Sequence, residues 1–338
     1  MVPRRDVLLG TTAALLLSSP GAAAPAVTPS RNAPTELIQG GGAVMPIPAD
    51  PSLGKGKDRA LVLGGGGEYF IAWLIGFARG LAASGVDDQL ADVIVGTSAG
   101  AVTGCALAAG HIGLLRDDIG FFGTFPKVLA ALVPTTAANP SQIRARQTAE
   151  ATRDGSTAAI QSIGRAAMAA RNPSVIDLQL MIDVLSLDRD WPSPKLYVTT
   201  TDCYSGERLV VAQSSEIPIS HAVCASVSLP GVFGPTWIGD RVCMDGAMNA
   251  TSTHVDLVAG AKRALVVALT DPSQRFSHIP NDIEQELKNL EAAGTRTLLI
   301  AADPGKVHLL SADEIEPALR AGRDRAVREA ERIKAFWA

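Results

Sequence analysis

The chain has 338 residues, 47% of them hydrophobic, and a formal net charge of −4. That supply of apolar side chains excludes a mostly disordered protein, and no Lys/Arg block stands out, which excludes nucleic acid as the main partner. The four cysteines (Cys105, Cys203, Cys224, Cys243) lack C-x-x-C spacing and read as buried thiols; the five histidines (His111, His221, His254, His278, His308) form no H-E-x-x-H or comparable metal motif.

At the N-terminus, Arg4 and Arg5 precede an apolar run from Val7 to Ser18, too short to span a bilayer as a helix. "PGAAAPA" (Pro20–Ala26) then offers small-residue cleavage sites, of which the later is preferred because Pro25 flanks the earlier. Residues 1–26 therefore read as an export leader, and the paired arginines suggest the twin-arginine kind, although Asp6 stands beside them. The alternative is a cytoplasmic protein with an irregular start. Residues 27–58 are rich in Pro, Gly and Ala without periodicity and read as a linker.

Regular structure is expected from Arg59-Ala-Leu-Val-Leu63, an apolar strand that enters Gly64–Gly67. A helical pattern follows through Ile71, Leu74, Ile75, Ala78 and Leu81. Val93-Ile-Val95 is a second strand, with a helix over Ala101–Ala109. From about 112 to 190 the text is mostly helical, an insertion broken by Pro126, Pro134, Pro140 and Pro173. Strand signals return at Lys195–Thr200, Arg208–Ala212, Ala264–Leu269 and Arg296–Ile300, with helices over Asp282–Ala293 and Ala312–Phe336. Continuous apolar strands alternating with helices point to an α/β protein with a mostly parallel sheet covered on both sides. One domain, 59–338, accounts for the pattern.

Three motifs carry chemistry. Gly96-Thr-Ser-Ala-Gly100 fits G-x-S-x-G, a sharp strand-to-helix turn that pushes the Ser98 hydroxyl outward. A tight structural turn is the bland alternative, but a strand before and a helix after are what the motif requires. Leu63-Gly-Gly-Gly-Gly-Glu68 opens a helix, where backbone N–H groups and the helix dipole favour an anion. Such a loop serves as an oxyanion hole or as a phosphate cradle. The phosphate reading suffers because G-x-x-x-x-G-K-[ST] is absent and Tyr69 and Phe70 spoil G-x-G-x-x-G. Val242-Cys-Met-Asp-Gly-Ala247 sets Asp245 before a glycine, a pattern that an ordinary β-turn also explains.

In this order the three resemble the patatin-like phospholipase family: a glycine-rich loop (Gly64–Gly67), the elbow (Gly96–Gly100) and D-G-[GA] (Asp245–Ala247). Further similarity lies in "IAWLIG" (Ile71–Gly76), "TTTDCYSGERLVV" (Thr199–Val211), "ASVSLPGVFGP" (Ala225–Pro235) and "MDGAMNATSTHVDLVAGAKRALVV". The resemblance implies a three-layer α/β/α fold and a lipid carboxylic-ester hydrolase in which Ser98 is the nucleophile and Asp245 its base. Gly65, Gly66 and Gly67 would be the oxyanion donors. It implies a lipid or acyl-ester substrate, transient contact with a membrane surface, and no metal or organic cofactor. The chain departs from the family at Tyr69 and Phe70, where many members carry a cation followed by glycine; that loss should weaken anion stabilisation.

Two rivals follow from the same residues. One is an α/β-hydrolase triad of Ser98, Asp245 and His278 or His308. The other is a catalytically weak lipid-binding protein. Asp202 is expected to fix a turn or orient the elbow, and His254 to cap a helix. Phe121, Phe122 and Phe125 belong either to a lipid-facing lid or to packing beneath the insertion.

Overall fold

The computed structural model describes residues 53–86, 91–125, 127–128, 138–152, 155–172, 178–179, 181–183, 190–270 and 283–338. The chain divides into Met1–Val44 and Met45–Ala338, and every described residue belongs to the second unit. The expected leader and most of the expected linker lie outside the described residues.

Strand β1 (Arg59–Leu63) leads into α1 (Gly67–Ala83), and β2 (Val93–Thr97) into α2 (Ala99–Ala108). Helices α3 (Ile112–Thr124), α4 (Pro140–Ala151) and α5 (Thr157–Ala169) intervene before β3 (Leu196–Asp202) and β4 (Arg208–Ala212). Next come α6 (Ile219–Ser226) and a hairpin of β5 (Thr236–Ile238) with β6 (Arg241–Asp245). The remaining elements are β7 (Arg263–Leu269), α7 (Ile283–Ala292), β8 (Arg296–Ala302) and α8 (Ile315–Trp337).

The strands form one eight-stranded sheet in the order β5-β6-β3-β2-β1-β7-β8, with β4 also paired to β3. Neighbours from β3 through β8 are parallel, while β4, β5 and β6 pair antiparallel. Side chains alternate across a strand, so β1 and β2 feed two cores. Leu61, Leu63 and Ile94 face the side covered by α1, α2, α6 and α8; Ala60, Val62, Val93 and Val95 face a 3-10 turn at Val255–Val258 and Leu290 of α7. This is the three-layer α/β/α arrangement that the sequence implied.

The register of β3 determines what meets at its end. Residues 197–199 pair with both β2 and β4, and residues 200–201 with both β4 and β6. A strand has only two edges, so β2 and β6 lie along the same edge of β3 and run toward each other. β2 ends at Thr97, opposite Thr199, and β6 ends at Asp245, opposite Thr200. The two strand ends abut. A third apolar cluster, Ile160, Ile163 and Ala167 of α5 with Val242 and Met244, packs the helical insertion onto β6.

Candidate active site

Ser98 occupies the junction of β2 and α2 with φ 51° and ψ −114°. A serine rarely adopts a positive φ, and such strain persists only where the surroundings over-determine it. Here they do. The Ser98 N–H donates to Ser226 Oγ at 2.8 Å, and the Gly100 N–H donates to the Gly64 carbonyl at 3.1 Å. A Cβ on Gly100 would stand 2.0 Å from the Leu63 carbonyl oxygen, and one on Gly96 2.6 Å from the Gly100 carbonyl oxygen. Both glycines of the motif are required by contact.

Where the strand ends abut, Ser98 Oγ donates to Asp245 Oδ2 at 2.7 Å, and both residues are buried. Asp245 Oδ1 accepts the Ala247 N–H at 2.8 Å, and the Asp245 N–H donates to the Ser228 carbonyl at 3.0 Å. Burial pushes the Asp245 carboxyl up to about 7, against the opposing pull of the Ala247 amide and the Ser98 hydroxyl. That places its titration near neutrality, where a base is most useful.

The glycine loop lies against this pair: a Cβ on Gly65 would be 3.4 Å from Ser98 Cβ and 3.2 Å from Ala247 Cβ. Its amides are unequally available. The Gly64 N–H donates to the Val267 carbonyl at 3.0 Å and the Gly65 N–H to the Ser252 carbonyl at 3.1 Å. The expected donor at Gly65 is therefore already committed to the protein. Among the described residues the amides of Gly66 and Gly67 have no partner, and neither has that of Ala99, which the sequence reading overlooked. The G-x-S-x-G motif itself was the available signal, since the residue after its serine opens the following helix with an unpaired N–H.

Tyr69 and Phe70 are core residues of α1, and Phe70 is fully buried beside Trp73. The Tyr69 N–H donates to the Leu309 carbonyl at 3.0 Å, and its phenol is pushed up by burial and by Asp303 and Glu314. Glu68, also unforeseen, has Oε2 buried without a partner, and burial pushes its carboxyl up to about 7.

No histidine among the described residues hydrogen-bonds the side chain of Ser98 or Asp245. His308 is exposed, its Nδ1 accepting the Leu310 N–H at 3.3 Å; His278 lies outside the described residues. His254 precedes the 3-10 turn at Val255–Val258, but its side chain makes no cap. It points instead to the Gly246 carbonyl, 3.1 Å from Nε2. Asp202 fixes the β3–β4 turn: Oδ1 accepts from the Tyr204 and Ser205 amides, and Oδ2 pairs with Arg241 at 3.2 Å. The four cysteines are free and buried, and burial pushes the Cys203 thiol up to about 12. Phe122 is buried, whereas Phe121 and Phe125 are exposed and lie against each other with ring centroids 4.9 Å apart.

A mostly parallel sheet covered on both faces, with a strained serine at a strand–helix turn, is the arrangement on which nucleophile-elbow acyl hydrolases are built. The chain belongs to the patatin-like phospholipase family, whose model matches residues 61–255, more than half of its length. Among solved structures it is similar to VipD from Legionella pneumophila, with a TM-score of 0.42 and 13% identity over 82% of this chain and 67% of that one. It is also similar to the type III effector protein ExoU, with a TM-score of 0.33 and 15% identity over 82% of this chain and 53% of that one. No curated protein matches the chain.

Proposed function

We propose that the protein cleaves carboxylic ester bonds of lipids, in the manner of a phospholipase A, lysophospholipase or lipase, through a dyad of Ser98 and Asp245. The observation that carries this reading is the 2.7 Å hydrogen bond from Ser98 Oγ to a buried carboxylate. As Oγ attacks the ester carbonyl, its proton passes to Asp245 Oδ2. The oxyanion is received by the unpaired amides of Gly66, Gly67 and Ala99 rather than by Gly65. Collapse expels the alcohol, which takes the proton from Asp245 and leaves an acyl-Ser98. Water then attacks the acyl group and gives a proton to Asp245, which passes it to Ser98 Oγ as the acyl–oxygen bond breaks, releasing the fatty acid and restoring the free serine and carboxylate. Each step uses the same aspartate alternately as base and acid.

Supporting a weaker catalyst is the replacement of the family's cation by Tyr69, so lipid binding with little turnover is the second reading. Hydrolysis of p-nitrophenyl acyl esters and labelling by a fluorophosphonate separate the two: a binder does neither. Exposed Phe121 and Phe125 are the residues we put forward for transient contact with a lipid surface. Export through residues 1–26 is proposed on the arginine pair and the cleavage motif.

A further inference from the structure

Behind the Asp245 turn stands a buried histidine whose two ring nitrogens face partners of opposite character. Nε2 is 3.1 Å from the Gly246 carbonyl oxygen, and Nδ1 is 3.3 Å from Nη1 of Arg208. A carbonyl can only accept and a guanidinium can only donate. The ring must therefore be neutral, with its proton on Nε2. Arg208, the first residue of β4, is itself held by both oxygens of Asp256, at 2.7 and 2.8 Å.

The Gly246 carbonyl and the Ala247 N–H belong to one planar peptide group, on opposite sides of it. On one side the oxygen receives His254; on the other the N–H binds Asp245 Oδ1 at 2.8 Å. Rotating that plane would lose both bonds together. We propose that His254 is a positioning residue which, through this rigid peptide, holds the Ala247 amide on Asp245 Oδ1 and so aims Oδ2 at Ser98. The inference rests on the dyad reading above.

Charge is kept off the ring. Its facing charged groups are Arg208 and Asp256, while Glu286 of α7 is bonded to Thr251 and Thr253 instead. Burial first, and Arg208 second, push the imidazole down to about 4. His254 thus stays a neutral donor where Asp245 titrates. Its backbone, at φ 55°, is in the left-handed region. The side chain that the sequence suggested as a cap serves the turn nearer the serine.

The test uses the full chain with ester hydrolysis, pH profiles and NMR. In the wild type, the ¹⁵N shifts of His254 should report a neutral ring protonated at Nε2 from about pH 5 to 9. His254→Phe fills the space but donates nothing. Its kcat should fall between about tenfold and a hundredfold with KM within about twofold. The acid limb of its kcat/KM profile should move to higher pH, because losing the Ala247 amide removes a bond that favours the carboxylate. His254→Gln keeps a donor at the same reach and should restore both. An imidazole that titrates between pH 5 and 9, or is protonated at Nδ1, overturns the proposal without any variant. So does His254→Phe with kcat and limb unchanged, or a kcat loss whose limb stays in place. Asp245→Asn run in parallel separates the two claims: if it is fully active the dyad fails, whereas if it is inactive and His254→Phe is normal the positioning role alone fails.

Discussion

Replacing Asp245 with asparagine keeps the shape of the turn but removes its proton acceptor. The new Oδ1 can still accept from the Ala247 N–H, and Nδ2 can sit beside Ser98 Oγ, so the fold should persist. Burial raises the wild-type carboxyl from 3.8 to about 7, so the native protein binds a proton more tightly than the unfolded chain does. The stability this group supplies is fully present below the unfolded value of 3.8 and is lost as pH rises through about 7. A rise of about three pH units, at roughly 1.4 kcal/mol each, amounts to about 4 kcal/mol withdrawn from the wild type at alkaline pH. Asparagine does not titrate and escapes that loss. Asp245→Asn should therefore match the wild type below about pH 4, exceed it by about 1–2 kcal/mol near pH 5, and exceed it by up to about 4 kcal/mol at pH 8 and above. Its ester hydrolysis should meanwhile fall by orders of magnitude, on the scale of about 10²–10⁴ for a lost general base. Urea unfolding at several pH values, alongside acyl-ester turnover, reads both quantities. A stability difference that is flat from pH 5 to 9 would refute the buried, proton-binding aspartate, and retained turnover would refute its role as base.

Ser98→Ala should lose fluorophosphonate labelling and hydrolysis while remaining folded, and labelling that survives would move the nucleophile elsewhere. Because Ser98 sits at φ 51°, Ser98→Gly should be at least as stable as Ser98→Ala in thermal melts, although glycine ordinarily costs about 0.5–1 kcal/mol more within a helix or strand. Gly65→Ala sets its Cβ 3.2 Å from Ala247 Cβ and 3.4 Å from Ser98 Cβ, so a shift of a few tenths of an ångström lets it fold but should lower kcat, whereas Gly66→Ala meets Phe70 Cβ at 2.6 Å and should act first on stability, as melting and kinetics together would show. Glu68→Gln should gain stability above pH 7, since its carboxyl too is raised by burial, yet leave the acid limb of kcat/KM in place; a limb that moves would assign that limb to Glu68. Replacing Arg4 and Arg5 with lysine should keep the precursor in the cytoplasm on fractionation, and unchanged export would rule out a twin-arginine leader.

Much of this protein is local and was legible. β1 and β4 lie where the sequence suggested, because in each an arginine is followed by four consecutive apolar residues that are buried. The elbow is equally local: strand, glycine, serine and glycine within a few residues specify a turn that only glycine can flank. Strand β5, the partner of β6 in the hairpin, was missed because its three residues carry too short a period to read. Other features depended on distant chain segments and could be decided only by tertiary structure. Ser98 meets Asp245 because β2 and β6 share one edge of β3 and stop at neighbouring positions, which no spacing in the sequence encodes. The proposed oxyanion donors are narrowed by the Ser252 carbonyl, which takes the Gly65 amide, and the Ala99 amide is left unpaired at the start of α2. His254 received its role from Arg208 on one side and Gly246 on the other, when its sequence position suggested only a cap. The sequence by itself determined which backbone turns were possible and which side chains they carried; the tertiary structure decided which of those groups kept a free hydrogen-bonding site, because that depends on every other polar group folded against them.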